Sequence, residues 1–76
     1  MKLDRLQQDW DKILSVSLGK NYLKRSKPIK LKNKVLFVAC HNSVWANELR
    51  LKEKILIEKN QYKFKEIGIE SIKFIS

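Results

Sequence analysis

From Leu3 to Leu18 the apolar residues recur at the spacing of one helical face. Leu3, Leu6, Trp10, Ile13, Leu14 and Leu18 form the stripe, and Asp4, Arg5, Gln8, Asp9, Asp11 and Lys12 fall mostly outside it. The pattern predicts an amphipathic helix of about four turns. Asp4 and Gln7 approach a capping box at its start, and Gly19 supplies a stop or bend. Tyr22 and Leu23 fit a further turn packed back on the core. At Ser26 the period falls to that of a strand. Lys27-Pro28-Ile29-Lys30-Leu31-Lys32 alternates, which aims Ile29 and Leu31 inward and Lys30 and Lys32 at water. Pro28 suits a strand edge, and Asn33-Lys34 sits where a tight turn would close a hairpin.

The run Val35 to Cys40 is apolar on both faces: Leu36, Val38 and Cys40 point one way, Val35, Phe37 and Ala39 the other. That is the pattern of a central strand. After His41 and Asn42, Ser43 is a good N-cap for a helix on which Trp45 and Leu49 stand one turn apart, with the small Ala46 between them. No single stripe accounts for Val44 to Asn60. At about 100° per residue Trp45, Leu49 and Leu56 share one side, Val44, Leu51 and Ile55 lie about a third of a turn away, and Ile57 falls elsewhere. Two shorter helices meeting near Leu51 to Glu53 are therefore expected. Asn60 to Gly68 reads as a linker rich in lysine and aromatics, and Ile69 to Ile75 as a last strand with Ile72 and Phe74 inward. The order α-β-β-α(-α)-β predicts a small two-layer α+β domain, a three-stranded sheet with its helices on one face and both tryptophans between the layers. Trp10, Trp45 and Leu49 are thus read as structural core, and Trp45→Ala is expected to cost about 3–5 kcal/mol.

Composition narrows the function. The 76 residues suit a single domain, 1–76, and 43% hydrophobic content argues against disorder. With one cysteine and one histidine there is no internal disulfide and no plausible zinc ligand set, and no metal or cofactor is implied. Neighbouring residues at a strand end point to opposite faces, so Cys40 and His41 make a poor nucleophile and base. With no glycine-rich phosphate loop, the chain reads as a non-enzyme. No apolar run approaches the roughly 20 residues needed to span a bilayer. The start, Met1 to Asp11, is polar and helical rather than signal-like, so a reducing cytoplasm is expected. Net charge is +9. Between Lys20 and Lys34 the cations Lys20, Lys24, Arg25, Lys27, Lys30, Lys32 and Lys34 occur with no acid among them. Such a run can track a sugar-phosphate backbone, which makes it the candidate nucleic-acid-binding set. The bland reading is a solvated strand edge. Tyr22, Tyr62 and Phe64, among basic residues, are candidates to stack on unpaired bases.

The stretch S-V-W-A-N-E-L after an apolar strand, with W-D-K-I-L before it and I-K-F near the end, resembles the DciA family of bacterial replicative-helicase loaders from Leu6 to Phe74. Ser43, Trp45, Ala46, Glu48 and Leu49 carry most of the resemblance, with Trp10 at the second tryptophan position. It implies a KH-like fold, contact with the DnaB-type hexameric replicative helicase, and help in placing that helicase on single-stranded DNA in the bacterial cytoplasm. Family members commonly carry less ordered sequence beside this domain, so a contact that depends on such an extension is expected to be missing from these residues. The G-x-x-G loop by which KH domains grip nucleic acid is absent at the corresponding place, which reads Leu49-Arg50-Leu51-Lys52-Glu53. Two rival readings are a general KH-like RNA- or DNA-binding module and a protein adaptor whose charge is incidental.

Overall fold

Leu6, Trp10, Ile13 and Leu14 line the buried face of the first helix, α1 (Lys2–Ser17), in a computed structural model that describes residues 2–76. Met1, part of the start read as polar and helical, lies outside the described residues. The helix ends where expected. Leu14 O accepts from both Leu18 N and Gly19 N (2.7 and 3.0 Å), and Gly19 takes φ 109°, a conformation side chains disfavour. A 3₁₀ turn (Lys20–Tyr22) follows, with Tyr22 and Leu23 packed against the core. Two side chains tie α1 to the first strand: Trp10 Nε1 donates to Ser26 Oγ at 2.9 Å and Gln7 Nε2 to Pro28 O at 2.6 Å.

Strands β1 (Ser26–Lys32) and β2 (Val35–Cys40) form an antiparallel hairpin. Asn33 and Lys34 both have positive φ (53° and 66°), the twist that a two-residue hairpin loop requires. One strand expectation fails. The register slips between Pro28 and Lys30, so Ile29 occupies a bulge and is 44% exposed, while Pro28 takes the inward position. An extra residue reverses the alternation on one side of the bulge, and proline, with no N–H, fits an edge strand there. Strand β3 (Ser71–Ile75) pairs parallel with β2, giving the sheet order β1-β2-β3.

The chain crosses from β2 to β3 through three helices, α2 (Ser43–Leu51), α3 (Glu53–Lys59) and α4 (Gln61–Ile67). The expected break falls at Lys52. The linker reading of Asn60 to Gly68 is corrected: this segment is α4, anchored by Phe64 at 1% exposure and ended by Gly68 in the left-handed region. A helix this short shows too few apolar positions to declare a period. Asn60 joins it to the rest, its Nδ2 donating to Leu56 O at 2.9 Å and to Ser17 Oγ at 2.5 Å. The architecture is α+β, in the order α-β-β-α-α-α-β, with the helices covering one face of the three-stranded sheet. Leu36, Val38, Ile72 and Phe74 meet Trp10, Leu49, Leu56 and Phe64 in the core.

Two local readings of the central stretch also change. The N-cap of α2 is Asn42, whose Oδ1 accepts from Trp45 N at 3.0 Å; Ser43 is the first helical residue. Asn42→Ala is expected to destabilise the domain by about 1 kcal/mol and Ser43→Ala by a few tenths at most. Chemical denaturation of the two variants checks this, and the opposite ranking would restore Ser43 as the cap. Trp45 is not in the core. Leu49 is 0% and Trp10 2% exposed, whereas Trp45 is half-buried at the rim, its ring edge-on to Tyr22 (centroids 5.9 Å apart) with the Arg25 guanidinium 5.3 Å from its centroid. On its helix Trp45 precedes the buried Ala46 and Leu49, and it leans toward the connector between α1 and β1 rather than under the sheet.

Candidate functional site

The helices leave the second face of the sheet open, and the strand registers define what it displays. Residues paired across strands share a face, and alternate residues along a strand share it too. The pairs Lys32↔Val35↔Ser71, Lys30↔Phe37↔Lys73 and Lys27↔Ala39↔Ile75 make three rows across this face. Val35, Phe37 and Ala39 are half-buried and the four lysines exposed. Lys30 Nζ lies 5.9 Å from the centroid of the Phe37 ring, a cation held over an aromatic surface. The sheet face is therefore an apolar spine flanked by ammonium groups.

The sheet carries charge of one sign, whereas helices α1 to α4 mix eight Lys and Arg with seven acids. The three strands contain Lys27, Lys30, Lys32 and Lys73 and no acid; every acidic residue except Glu70 lies on a helix. Glu70, just before β3, is 3.6 Å from Lys34, and Asp9 of α1 is 3.6 Å from Lys63 of α4. Both ion pairs are substantially exposed, and each contributes about 0–1 kcal/mol.

The cations singled out in the sequence separate into three places. Lys27, Lys30 and Lys32 stand on the open sheet face, and Lys34 sits in the hairpin turn beside Glu70. Lys20, Lys24 and Arg25 lie on the 3₁₀ turn and the connector, where Arg25 covers Trp45 and Lys24 N donates to Asp11 Oδ1 at 3.2 Å. An open groove of ≈ 410 Å³ runs from this connector to the end of β2, lined by Lys24, Arg25, Lys27, Ala39, Cys40 and His41 together with Trp10 and Asp11 of α1. Lys27 stands at the junction of the groove and the sheet face.

Phe37 and Lys73 belong to this face but not to the site expected from the sequence. Lys73 is legible as outward, since Ile72 and Phe74 point inward, but only the strand order sets it beside Phe37. Of the aromatics expected to stack on bases, Phe64 is enclosed in the core at 1% exposure, Tyr22 is packed against Trp45, and Tyr62 is 85% exposed on α4, away from the strands. Burial pushes the Cys40 thiol above its ordinary range, which keeps it protonated and a poor nucleophile. Among the described residues no group of three or more His, Cys, Asp or Glu is placed to hold a metal ion, and no helix is long and apolar enough to cross a membrane. The α2–α3 junction turns at Lys52 with φ −99° and ψ 2°, and no glycine there lets a phosphate approach the backbone.

Against known families, residues 1–74 match the one described as "Dna[CI] antecedent, DciA". The chain belongs to the DciA family. The match spans both tryptophans, the α2 segment and all three strands. No curated protein and no solved structure matches the chain. DciA is a family associated with loading of the DnaB helicase and not a known enzyme family, so the chain has an accessory role in replication.

Proposed function

We propose that this domain holds single-stranded DNA, or another nucleic acid, on its lysine-bearing sheet face and assists in placing the DnaB-type hexameric replicative helicase on the strand. The observation that carries the reading is where the acids lie: four lysines share one sheet face, no strand contains an acid, and seven of the eight acids are on the helices. A surface of one sign concentrates a phosphate polymer and releases its counterions on contact, while the opposite layer stays free for a protein partner. The element order and the parallel pairing of β2 with β3 support a KH-like relationship, and the open face supplies phosphate contacts that the glycine-free α2–α3 junction lacks. The setting is the bacterial cytoplasm, with no metal, cofactor or catalytic step.

The test is a titration of fluorescent single-stranded DNA across salt, with and without purified DnaB-type helicase. If four phosphates are neutralised, log K is expected to fall against log[salt] with a slope of about −3, a loss of roughly 50-fold between 50 and 200 mM. Helicase association with DNA should become faster in the presence of the domain. Salt-sensitive binding with no effect on the helicase would reduce the reading to a generic nucleic-acid module. Negligible binding of DNA with retained binding of a protein would leave an adaptor.

A further inference from the structure

We infer that Phe37 is a stacking platform for an unpaired base, so that the sheet face takes single-stranded nucleic acid in preference to duplex; this rests on the nucleic-acid reading above. Phe37 occupies the centre of the open face, in the middle of three strands and the middle of three rows. Lys30 and Lys73 are its direct cross-strand neighbours, about 4.8 Å away on either side, close enough to meet phosphates flanking a base on the ring. Its other same-face neighbours along β2 are the modest side chains Val35 and Ala39, so the ring is not overhung along the strand. The Lys30 ammonium stands over the ring, 5.9 Å from its centroid, on a long exposed side chain that can swing aside to a phosphate when a flat partner takes its place on the half-buried ring.

Charge complementarity selects the occupant. A protein partner with an ordinary mixed surface would meet four ammonium groups with no acid to satisfy its own cations. A phosphate polymer meets only attraction. A duplex offers phosphates but keeps its bases stacked on each other, and it would leave Phe37 unused. A single strand can use both the lysines and the ring. The platform is tolerant of sequence, because every base has a π face.

The experiment compares the domain and two variants, Phe37→Leu and Phe37→Trp, binding to three probes of equal length: oligothymidine, the same backbone without bases, and a duplex. Thermal melting is run alongside to establish folding. The unaltered domain is expected to bind oligothymidine about tenfold more tightly than the abasic strand. Phe37→Leu, which keeps apolar bulk without an aromatic face, should erase that difference while leaving the salt slope unchanged; Phe37→Trp should keep or enlarge it. Equal binding of oligothymidine and the abasic strand by the unaltered domain, or an unchanged preference in Phe37→Leu, would overturn the platform and leave a purely electrostatic nucleic-acid face. Absence of salt-sensitive binding to every probe would overturn the nucleic-acid reading and the platform with it.

Discussion

Replacing Lys27, Lys30, Lys32 and Lys73 together by glutamate is expected to abolish binding of single-stranded DNA, whereas the same exchange at Lys12, Lys54, Lys59 and Lys65 should weaken it only several-fold. All eight are exposed, and each set alters the net charge of +9 by the same amount, so overall charge is controlled. What differs is placement. The first set shares one acid-free sheet face; the second is spread over α1, α3 and α4, among the acidic residues. Counterion release depends on ammonium groups touching phosphates, while distant charges act through a potential that decays within about 8–10 Å at moderate salt. Exchange of the sheet lysines for glutamine tests the same point without introducing repulsion, and should flatten the salt slope by about 0.7 for each phosphate no longer neutralised. Fluorescence anisotropy across a salt series reads both effects. Equal weakening by the two sets would mean that binding follows net charge and that the sheet face has no special part in it.

The fold is legible wherever the apolar pattern is long enough to have a period. The α1 stripe, the doubly apolar β2 and the failure of Val44 to Asn60 to form one stripe lead directly to a helix, a central strand and a break at Lys52. Misreadings arise where another constraint outranks the pattern. Ile29 alternates correctly in sequence, but a bulge beside Pro28 turns it outward. The α4 segment has a single fully buried anchor, Phe64, and its lysines give it the look of a linker. Ser43 and Asn42 are both good caps; the choice depends on which residue still has extended backbone where the helix begins, and that is Asn42, at φ −158° and ψ 178°.

The candidate site is only partly legible, for a topological reason. Strand alternation marks Lys30, Lys32 and Lys73 as outward within their own strands, but β3 could have paired with β1 or with β2. Pairing with β2 assembles lysines from both edges around Phe37. Sequence proximity also joins cations that the fold separates: Lys34 is turned to Glu70, and the Arg25 guanidinium stands 5.3 Å from the centroid of the Trp45 ring. In sequence Phe37 is one more apolar residue of a central strand. Its exposure to solvent follows from the absence of a second covering layer, which the apolar run alone does not reveal.

The tryptophans should differ sharply in what they contribute to stability. Trp10→Ala is expected to cost about 3–5 kcal/mol, because it empties a site at 2% exposure and leaves Ser26 Oγ without the indole donor now 2.9 Å away. For a domain of 76 residues, whose total stability is of order 4–11 kcal/mol, that is about a quarter or more of the whole. Trp45→Ala is expected to cost only about 1–2.5 kcal/mol, less than its place on a helical stripe implies. It removes an edge-on contact with Tyr22 worth about 0.5–1.5 kcal/mol and a partly exposed cation–π contact with Arg25 worth about 0.5–1 kcal/mol, and the half-open rim lets water fill the space. Urea denaturation followed by circular dichroism separates the two. A Trp45→Ala destabilisation as large as that of Trp10→Ala would mean that the connector holding Tyr22 and Arg25 is an integral part of the core. A small one would mean that the rim above α2 can change without unfolding the sheet face that α1 and Trp10 hold in place.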